Sequence, residues 1–344
     1  MQDYISNLEE WFLENRRILP WRRDKNPYHV WISEVMLQQT RIEAVISYYE
    51  RFMKELPDIS SLANVSEDKL LKLWEGLGYY NRARNLKKAA FMIMEKYGGV
   101  FPTTYAEIIQ LPGIGEYTAS AISSICFGEN QVTVDGNVMR VFTRFYNDSS
   151  NISKDSTRVM IHDRLLSMMS FDPGCFNEAM MELGEVICIP NGMPKCDICP
   201  LKEGCLSYQN SNYYLFPVKD EKKVKEEVDM TVIIPIWQGK TLVRKRKSPG
   251  LLHNLYEFPN IVGNKSIEEI REWSLEYGIV ENIKKSICYI HVFTHKKWKM
   301  QAYFVTFESV NCQDMFYSVS EVEERFALPT AFSPFLYQLK EELK

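Results

Sequence analysis

The sequence predicts two domains of different class, an all-α domain over residues 1–212 and a smaller α+β domain over residues 229–344. Apolar residues recur at helical spacing in almost every segment up to residue 188, and no alternating strand pattern occurs before about residue 225. Residues 213–228, YYLFPVKDEKKVKEEV, are charged, carry a proline and read as an exposed linker. Beyond them come short β-rich runs, TVIIPIW, KTLVRKR, SICYIHVF and KMQAYFVTFE, with one helical run, SIEEIREWSLEYG, in their midst.

In the first domain, Ile5, Leu8, Trp11 and Phe12 share a helix face, and Pro20 closes that segment. Asn26-Pro27 predicts the next start, with Asn as cap and Pro in the first helical position. That helix reads through YHVWISEVMLQQ, after which Thr40 and Glu43 predict a capping box. Further helices are predicted at 67–75, 81–97, 104–111, 116–127, 137–146, 155–169 and 175–188. Leu-Pro-Gly-Ile-Gly at 111–115 separates two of them. Gly113 and Gly115 admit backbone angles that let the amides of this turn crowd an anion. Helix then resumes, with Tyr117, Ala121 and Ile125 on one face. A packing joint between two helices would look the same. Val-Asp-Gly-Asn at 134–137 adds a carboxylate, Asp135, beside a new helix start, where Asp also serves as an ordinary N-cap.

At 344 residues the chain is long enough for a sizeable core in each domain, and 45% apolar with 25% charged residues is a globular composition. No apolar run approaches the roughly 18 residues of a membrane span, and the N-terminus lacks a signal pattern, which predicts a cytosolic protein. A net charge of −4 and a pI of 5.9 do not advertise a nucleic-acid binder. Local basic groups exist, Arg82, Arg84, Lys87 and Lys88, then Arg244 to Lys247, although charge runs commonly mark a solvated face. Eight cysteines in a cytosolic chain argue against disulfides. Cys126, Cys175, Cys288 and Cys312 are scattered and read as small buried hydrophobes. Cys188, Cys196, Cys199 and Cys205 follow C-x7-C-x2-C-x5-C, a compact thiolate set suited to a tetrahedral metal or an iron–sulfur cluster. Spacing alone leaves zinc and [4Fe–4S] open.

Glu34 lies in VWISEVMLQQT, with Val30 and Trp31 one turn before it and Leu37 one turn after. A carboxylate on so apolar a face is costly to ionise, so its pKa is expected to rise toward that of a general acid at neutral pH. A surface glutamate paired with Arg41 is the competing reading.

SEVMLQQT, WEGLGYYNRARNL, LPGIGEYTA and VDGNVMRV, in that order, resemble the MutY-type adenine DNA glycosylases of the endonuclease III helix-hairpin-helix superfamily, through most of residues 15–205. The resemblance implies a helix-hairpin-helix glycosylase domain with a [4Fe–4S] cluster on the four cysteines, structural and DNA-positioning in role. The family usually has six residues in the first cysteine gap; this chain has seven, IPNGMPK. Glu34 would protonate adenine N7, and Asp135 would face the positive sugar that develops, as electrostatic partner or transient nucleophile. Tyr117 and Asn137 would orient these groups. Bifunctional relatives carry a nucleophilic lysine where this chain has Tyr117, so hydrolysis without strong strand cleavage is expected. Trp21, Arg22 and Glu178 resemble adenine-pocket residues; Leu37, Gln39 and Tyr79 occupy positions that wedge into the duplex; Gly113 and Gly115 would seat a phosphate, with a monovalent cation at the hairpin.

The C-terminal part resembles the Nudix-like domain with which this family reads 8-oxoguanine. A hydrolytic Nudix box ends REUxEExGU. Here REWSLEYGI has Leu275 for the first glutamate of the pair, and Gly250 and Glu257 are spaced wrongly, which argues against metal-dependent hydrolysis. Phe293, Thr294 and His295 match the family's H-x-F-S/T-H loop and would contact 8-oxoguanine, with Thr where Ser is frequent. The expected protein is a monofunctional adenine DNA glycosylase, a monomer acting on duplex DNA with A:8-oxoguanine or A:G mispairs, cytoplasmic and nucleoid-associated. A bifunctional pyrimidine-lesion glycosylase, a lesion-binding protein without catalysis and a nucleotide-pool hydrolase are the alternatives.

Overall fold

The computed structural model describes residues 1–221, 224–247 and 250–344, so Lys222 and Lys223 of the expected linker lie outside the described residues. The first twelve helices are α1 (Ile5–Asn15), α2 (Pro27–Leu37), α3 (Ile42–Glu55), α4 (Ile59–Asn64), α5 (Glu67–Leu73), α6 (Asn81–Tyr97), α7 (Tyr105–Ile108), α8 (Glu116–Phe127), α9 (Gly136–Tyr146), α10 (Asp155–Leu166), α11 (Pro173–Val186) and α12 (Leu206–Gln209). The chain divides into two compact units. Met1–Asn64 and Asn85–Glu221 form the first, and Val65–Arg84 joins Lys222–Lys344 in the second.

Helix α11 organises the first unit. It packs on α1, α8 and α9, and α2 packs on α8. Two glycines make the close approaches possible. A Cβ on Gly174 would lie 2.9 Å from the Ile125 backbone, and one on Gly184 would lie 2.6 Å from Asn137 Cβ. Buried side chains from α1, α9, α10 and α11, among them Leu8, Phe12, Phe142, Ile161, Phe176 and Leu183, form one core. Asn26 caps α2 as expected, its side chain accepting from the Tyr28 amide. The Thr40–Glu43 capping box does not form. Arg41 is the N-cap of α3, which puts Glu43 one position short of the box; the chain turns at 38–40, with Gln39 at φ 59° and the Thr40 amide donating to Leu37 O.

Buried Asn177 of α11 divides its amide between α8 and the segment leading to α9. It accepts from the Thr133 amide and hydroxyl, and donates to the Ser124 hydroxyl and the Gln131 carbonyl. This fixes residues 131–134 immediately before Asp135.

The second unit is built on a mixed sheet in the order β6-β7-β1-β2-β8, with β5 also on β1, and a separate β3-β4 pair. The strands are β1 (Glu226–Trp237), β2 (Lys240–Leu242), β3 (Arg244–Lys245), β4 (Tyr256–Glu257), β5 (Asn260–Val262), β6 (Gly278–Val292), β7 (Lys296–Val310) and β8 (Phe316–Tyr317). Helices α13 (Ile267–Ser274), α14 (Val319–Arg325) and α15 (Ser333–Glu342) complete the unit. Alternate residues of β1 serve two cores. Met230, Val232 and Ile234 meet Trp298, Phe332 and Phe335, while Ile233 meets Ile270, Val305 and Phe307 on the other face. Strand β1 starts inside the stretch whose charge and proline read as linker. Its Glu226 and Glu227 stand opposite Lys296 and Lys297 of the parallel strand β7 and pair with them, so charges typical of a solvated linker here make a cross-strand ladder.

Replacing Asn177 with Ala would leave the Thr133 amide and Gln131 carbonyl buried without partners. Chemical denaturation is expected to show a loss of about 2–4 kcal/mol.

Candidate active site

A cavity of about 830 Å³ opens in the first unit, and Glu34, Tyr117, Asp135, Asn137, Glu178 and Met181 are on its wall. Four elements deliver them. Glu34 sits mid-helix on α2, Tyr117 in the first turn of α8, Asp135 at the N-cap of α9, and Glu178 and Met181 one turn apart on α11.

Glu34 is only 8% exposed. Burial pushes its carboxyl up to about 7; the Tyr117 hydroxyl and Arg22 oppose the shift, and the negative charges of Asp135 and Glu178 add to it. Buried and raised in this way, Glu34 fits the apolar-face reading and not that of a surface glutamate. Burial also raises the Tyr117 phenol well above its ordinary value, with Glu34 and Asp135 acting in the same sense. The Tyr117 hydroxyl donates to Met181 Sδ at 3.0 Å.

Asp135 is held by both oxygens. Oδ1 accepts from the Val138 amide at 2.8 Å, and Oδ2 accepts from Asn137 Nδ2 at 3.0 Å. Burial raises its pKa, opposed by the Val138 amide, Arg140 and Asn137. Asn137 is fixed in turn by Arg140, which donates to Asn137 Oδ1 at 2.9 Å, to Gly184 O at 2.8 Å and to Cys188 O at 2.7 Å. Arg140 stands three residues after Asn137, a helical contact that the sequence offers, yet only the fold shows its other two partners.

The loop before α2 brings charge to the cavity. Arg22 pairs with Glu178 at 2.9 Å and Glu182 at 3.0 Å, while Arg17 makes a bidentate pair with Glu182. Burial acts to raise Glu182, but the two guanidiniums hold it below the usual carboxylate range. Glu178 stays raised by burial despite Arg22. Trp21 is buried on the same wall, edge-on to Tyr49. Sequence reading missed Arg17, Glu182 and Met181; the four-residue spacing of Glu178 and Glu182 was the available signal.

Leu37 and Gln39 border the same cavity. Gly113 has φ 80°, and a Cβ there would fall 2.5 Å from Asn85 Cβ, so the turn between α7 and α8 is closed to larger residues. Gly115 is the N-cap of α8. Tyr79 belongs to the second unit, 45% exposed at φ 48°, and its hydroxyl lies 2.9 Å from Thr294 Oγ1. Thr294 is in the tight β6–β7 hairpin loop, closed by the Phe293 amide donating to Lys296 O. The Phe293 ring is packed edge-on against Trp298 and His291, leaving Thr294 and His295 exposed. Glu257 is buried between Arg244 and Arg246, which occupy it with ion pairs at 3.5 and 2.5 Å.

Cys188, Cys196, Cys199 and Cys205 lie within electrostatic reach of one another. Burial pushes the Cys199 thiol up to about 12, and the other three act the same way. Arg144 donates to Cys188 Sγ at 3.4 Å. A single tetrahedral ion with metal–sulfur bonds of about 2.3 Å needs sulfurs roughly 3.8 Å apart. Among the described residues no three His, Cys, Asp or Glu side chains gather as a single metal ion requires. Four thiols within electrostatic reach of one another, with the Arg144 guanidinium on one sulfur, are the kind of donor set a thiolate-ligated metal group uses.

Residues 32–164 match the family model of the HhH-GPD superfamily base excision DNA repair proteins, and residues 231–338 match that of the NUDIX domain. Fold and site together thus define a base excision DNA repair protein of the helix-hairpin-helix class. The adenine DNA glycosylase of Buchnera aphidicola subsp. Baizongia pistaciae (strain Bp) is 35% identical, across 94% of this chain and 93% of that protein. The adenine DNA glycosylase of Homo sapiens is 32% identical, across 89% of this chain and 67% of that protein. The structure of a thermostable thymine-DNA glycosylase aligns with a TM-score of 0.55 at 27% identity, covering 60% of this chain and 96% of that one. A trapped endonuclease III–DNA covalent intermediate, 24% identical at a TM-score of 0.51, shares the fold. The chain belongs to the adenine DNA glycosylase family, and it is a DNA glycosylase.

A methyl group on residue 184 would displace Asn137 and so loosen the second contact of Asp135. Gly184→Ala is expected to slow glycosylase single turnover by about 10²-fold, the scale for a misplaced reacting group. A thermal melt on the same preparation would show whether the fold survives.

Proposed function

We propose that the protein hydrolyses the N-glycosidic bond of adenine mispaired with 8-oxoguanine or guanine in duplex DNA. The observation that carries this reading is the carboxyl of Glu34, buried, facing Tyr117 and Asp135, and raised to about 7. Such a group is protonated over the lower physiological range and sits where it can give its proton to a flipped base. Adenine N7 is the proposed acceptor. Protonation makes the base a better leaving group, and Asp135 offsets the positive charge that develops on the sugar, as in two-carboxylate glycosidases. Asn137 orients Asp135, and Tyr117 orients Glu34.

Trp21, Arg22 and Glu178 are proposed to line the adenine pocket, and Leu37, Gln39 and Tyr79 to fill or flank the gap it leaves. The turn at Gly113 and Gly115, at the N-terminus of twelve-residue α8, would seat a phosphate. Residues 1–212 are the proposed glycosylase domain, and 229–344 the domain that reads 8-oxoguanine through Thr294 and His295, with Phe293 as the loop's anchor. The four cysteines are proposed to hold a [4Fe–4S] cluster, which would cross-link residues 188–205 and supply no hydrolytic group. At position 117 a phenol replaces the amine a lyase uses, which supports hydrolysis alone, leaving an abasic site.

The test is single-turnover cleavage of paired duplexes, A opposite 8-oxoguanine and A opposite G, with and without alkali after quenching. Strand breaks that need alkali, and arise faster opposite 8-oxoguanine, are expected. A borohydride-trapped adduct would instead mark a lyase. Glu34→Gln should slow base release by at least about 10²-fold while duplex binding remains. Loss of binding would make Glu34 structural. Thr294→Ala with His295→Ala should narrow the ratio of rates on the two duplexes by about tenfold, the worth of one or two hydrogen bonds. An unchanged ratio would remove the loop from lesion reading.

A further inference from the structure

We propose that Arg23, Lys25 and Arg41 form a clamp at the mouth of the cavity for phosphates of the strand whose base enters it. The charges of the cavity wall are sorted by depth. Glu34, Asp135, Glu178 and Glu182 are buried or half-buried, whereas Arg23, Lys25 and Arg41 are exposed and so stand at the mouth. Arg17 and Arg22 are already committed, to Glu182 and Glu178. A phosphodiester drawn toward this opening meets carboxyl groups behind it, on a chain whose net charge is −4. Cations at the rim answer both repulsions and hold the backbone while the base goes in.

The protein itself leaves these charges available. Arg23 and Arg41 form no ion pair among the described residues, and Lys25 has only a loose one, 4.0 Å from Asp172 with both side chains more than half exposed. Asp24 lies between Arg23 and Lys25 in sequence, but its carboxylate accepts from the Asn26 amide and stands 3.0 Å from His29 Nδ1. Glu185, the other exposed acid on this wall, acts on Arg17 and Arg140. The 16–26 loop packs on α3 through Trp21 against Tyr49, and Arg23 acts on the same Tyr49, so loop and helix present their cations from one wall. Arg16 shares the rim but is the C-cap of α1, where a cation suits the negative end of the helix. Arg41 is the reverse case. As N-cap of fourteen-residue α3 it makes no side-chain cap and sets a cation at the positive end. That position costs α3 stability, so the fold does not account for Arg41.

The inference rests on the reading that this cavity receives a base from duplex DNA, and the experiment separates the two. Binding of the full chain is measured on a duplex with 2′-fluoro-2′-deoxyadenosine opposite 8-oxoguanine, whose fluorine disfavours the sugar cation and prevents cleavage. Each phosphate contact releases counterions. Arg23→Gln, Lys25→Gln and Arg41→Gln should therefore each flatten the plot of log Kd against log salt by about one, and weaken binding by about tenfold at about 0.1 M salt. Arg23→Lys and Arg41→Lys keep the charge and should keep the slope. No melting temperature should fall, and Arg41→Gln relieves the start of α3. Uncharged methylphosphonates on either side of the fluoroadenosine should abolish the effect of the three Gln variants, while the same change in the opposite strand should leave it in place. Unchanged slopes, or losses that persist in full on the duplex neutralised beside the fluoroadenosine, overturn the clamp. Absence of adenine release by the wild type from the cleavable duplex overturns instead the reading of the site.

Discussion

A carboxyl group kept out of water on α2 is the constraint on which the first unit depends. An isolated buried carboxylate is costly, so the group must stay protonated or find a cation. The fold supplies both answers within one cavity. Glu182, buried like Glu34, is met by Arg17 and Arg22 and falls below the usual carboxylate range. Glu34 receives only part of the influence of Arg22, faces Asp135 as well, and rises to about 7. The pKa values of identical side chains are driven in opposite directions by which of them the arginines reach, which is how one site can hold an acid beside charged carboxylates.

The second unit applies a different constraint, that of holding a short loop still at the end of two long strands. Strands β6 and β7, each of fifteen residues, project residues 293–295 as their hairpin loop. Register at its root is set by Glu226 and Glu227 against Lys296 and Lys297. Lys225 Nζ binds Phe293 O at 2.6 Å, and the Glu226 amide binds His295 O. With the Phe293 ring packed beside Trp298, the loop backbone is tied on both sides and only Thr294 and His295 present polar side chains outward. Tyr79 reaches this loop because residues 65–84 cluster with the C-terminal sequence.

Much of this was legible because it is local. Helical periodicity gave α6, α8 and α9 almost to the residue, and Asn26-Pro27 gave the start of α2. Glu34 could be recognised because apolar residues surround it on its own helix. The features that escaped depend on contacts distant in sequence. Met181, Glu182 and Arg17 look like ordinary helix and loop residues until α11 is laid against the 16–26 loop and the start of α8. The charged residues at 226–227 could not be told from a linker without their partners seventy positions on. The Thr40–Glu43 box failed for a local reason that pattern matching does not weigh, since the left-handed turn at Gln39 moved the helix start by one residue.

Asp135 shows why a structural and a chemical reading of one residue need not compete. As an N-cap it accepts from the Val138 amide, the commonest role for Asp at such a position. That bond, with the one from Asn137, fixes the plane of the carboxylate and engages both oxygens from the helix side. The amides and positive end of α9 favour the charged form that burial opposes. The lone pairs left over belong to a group that cannot rotate away from the cavity. A free surface aspartate would be easier to ionise but would have to be ordered in every turnover. The cap therefore supplies the orientation that the role proposed for Asp135, a charge facing a transient cation, requires, and Asn137, Arg140 and Gly184 preserve that orientation.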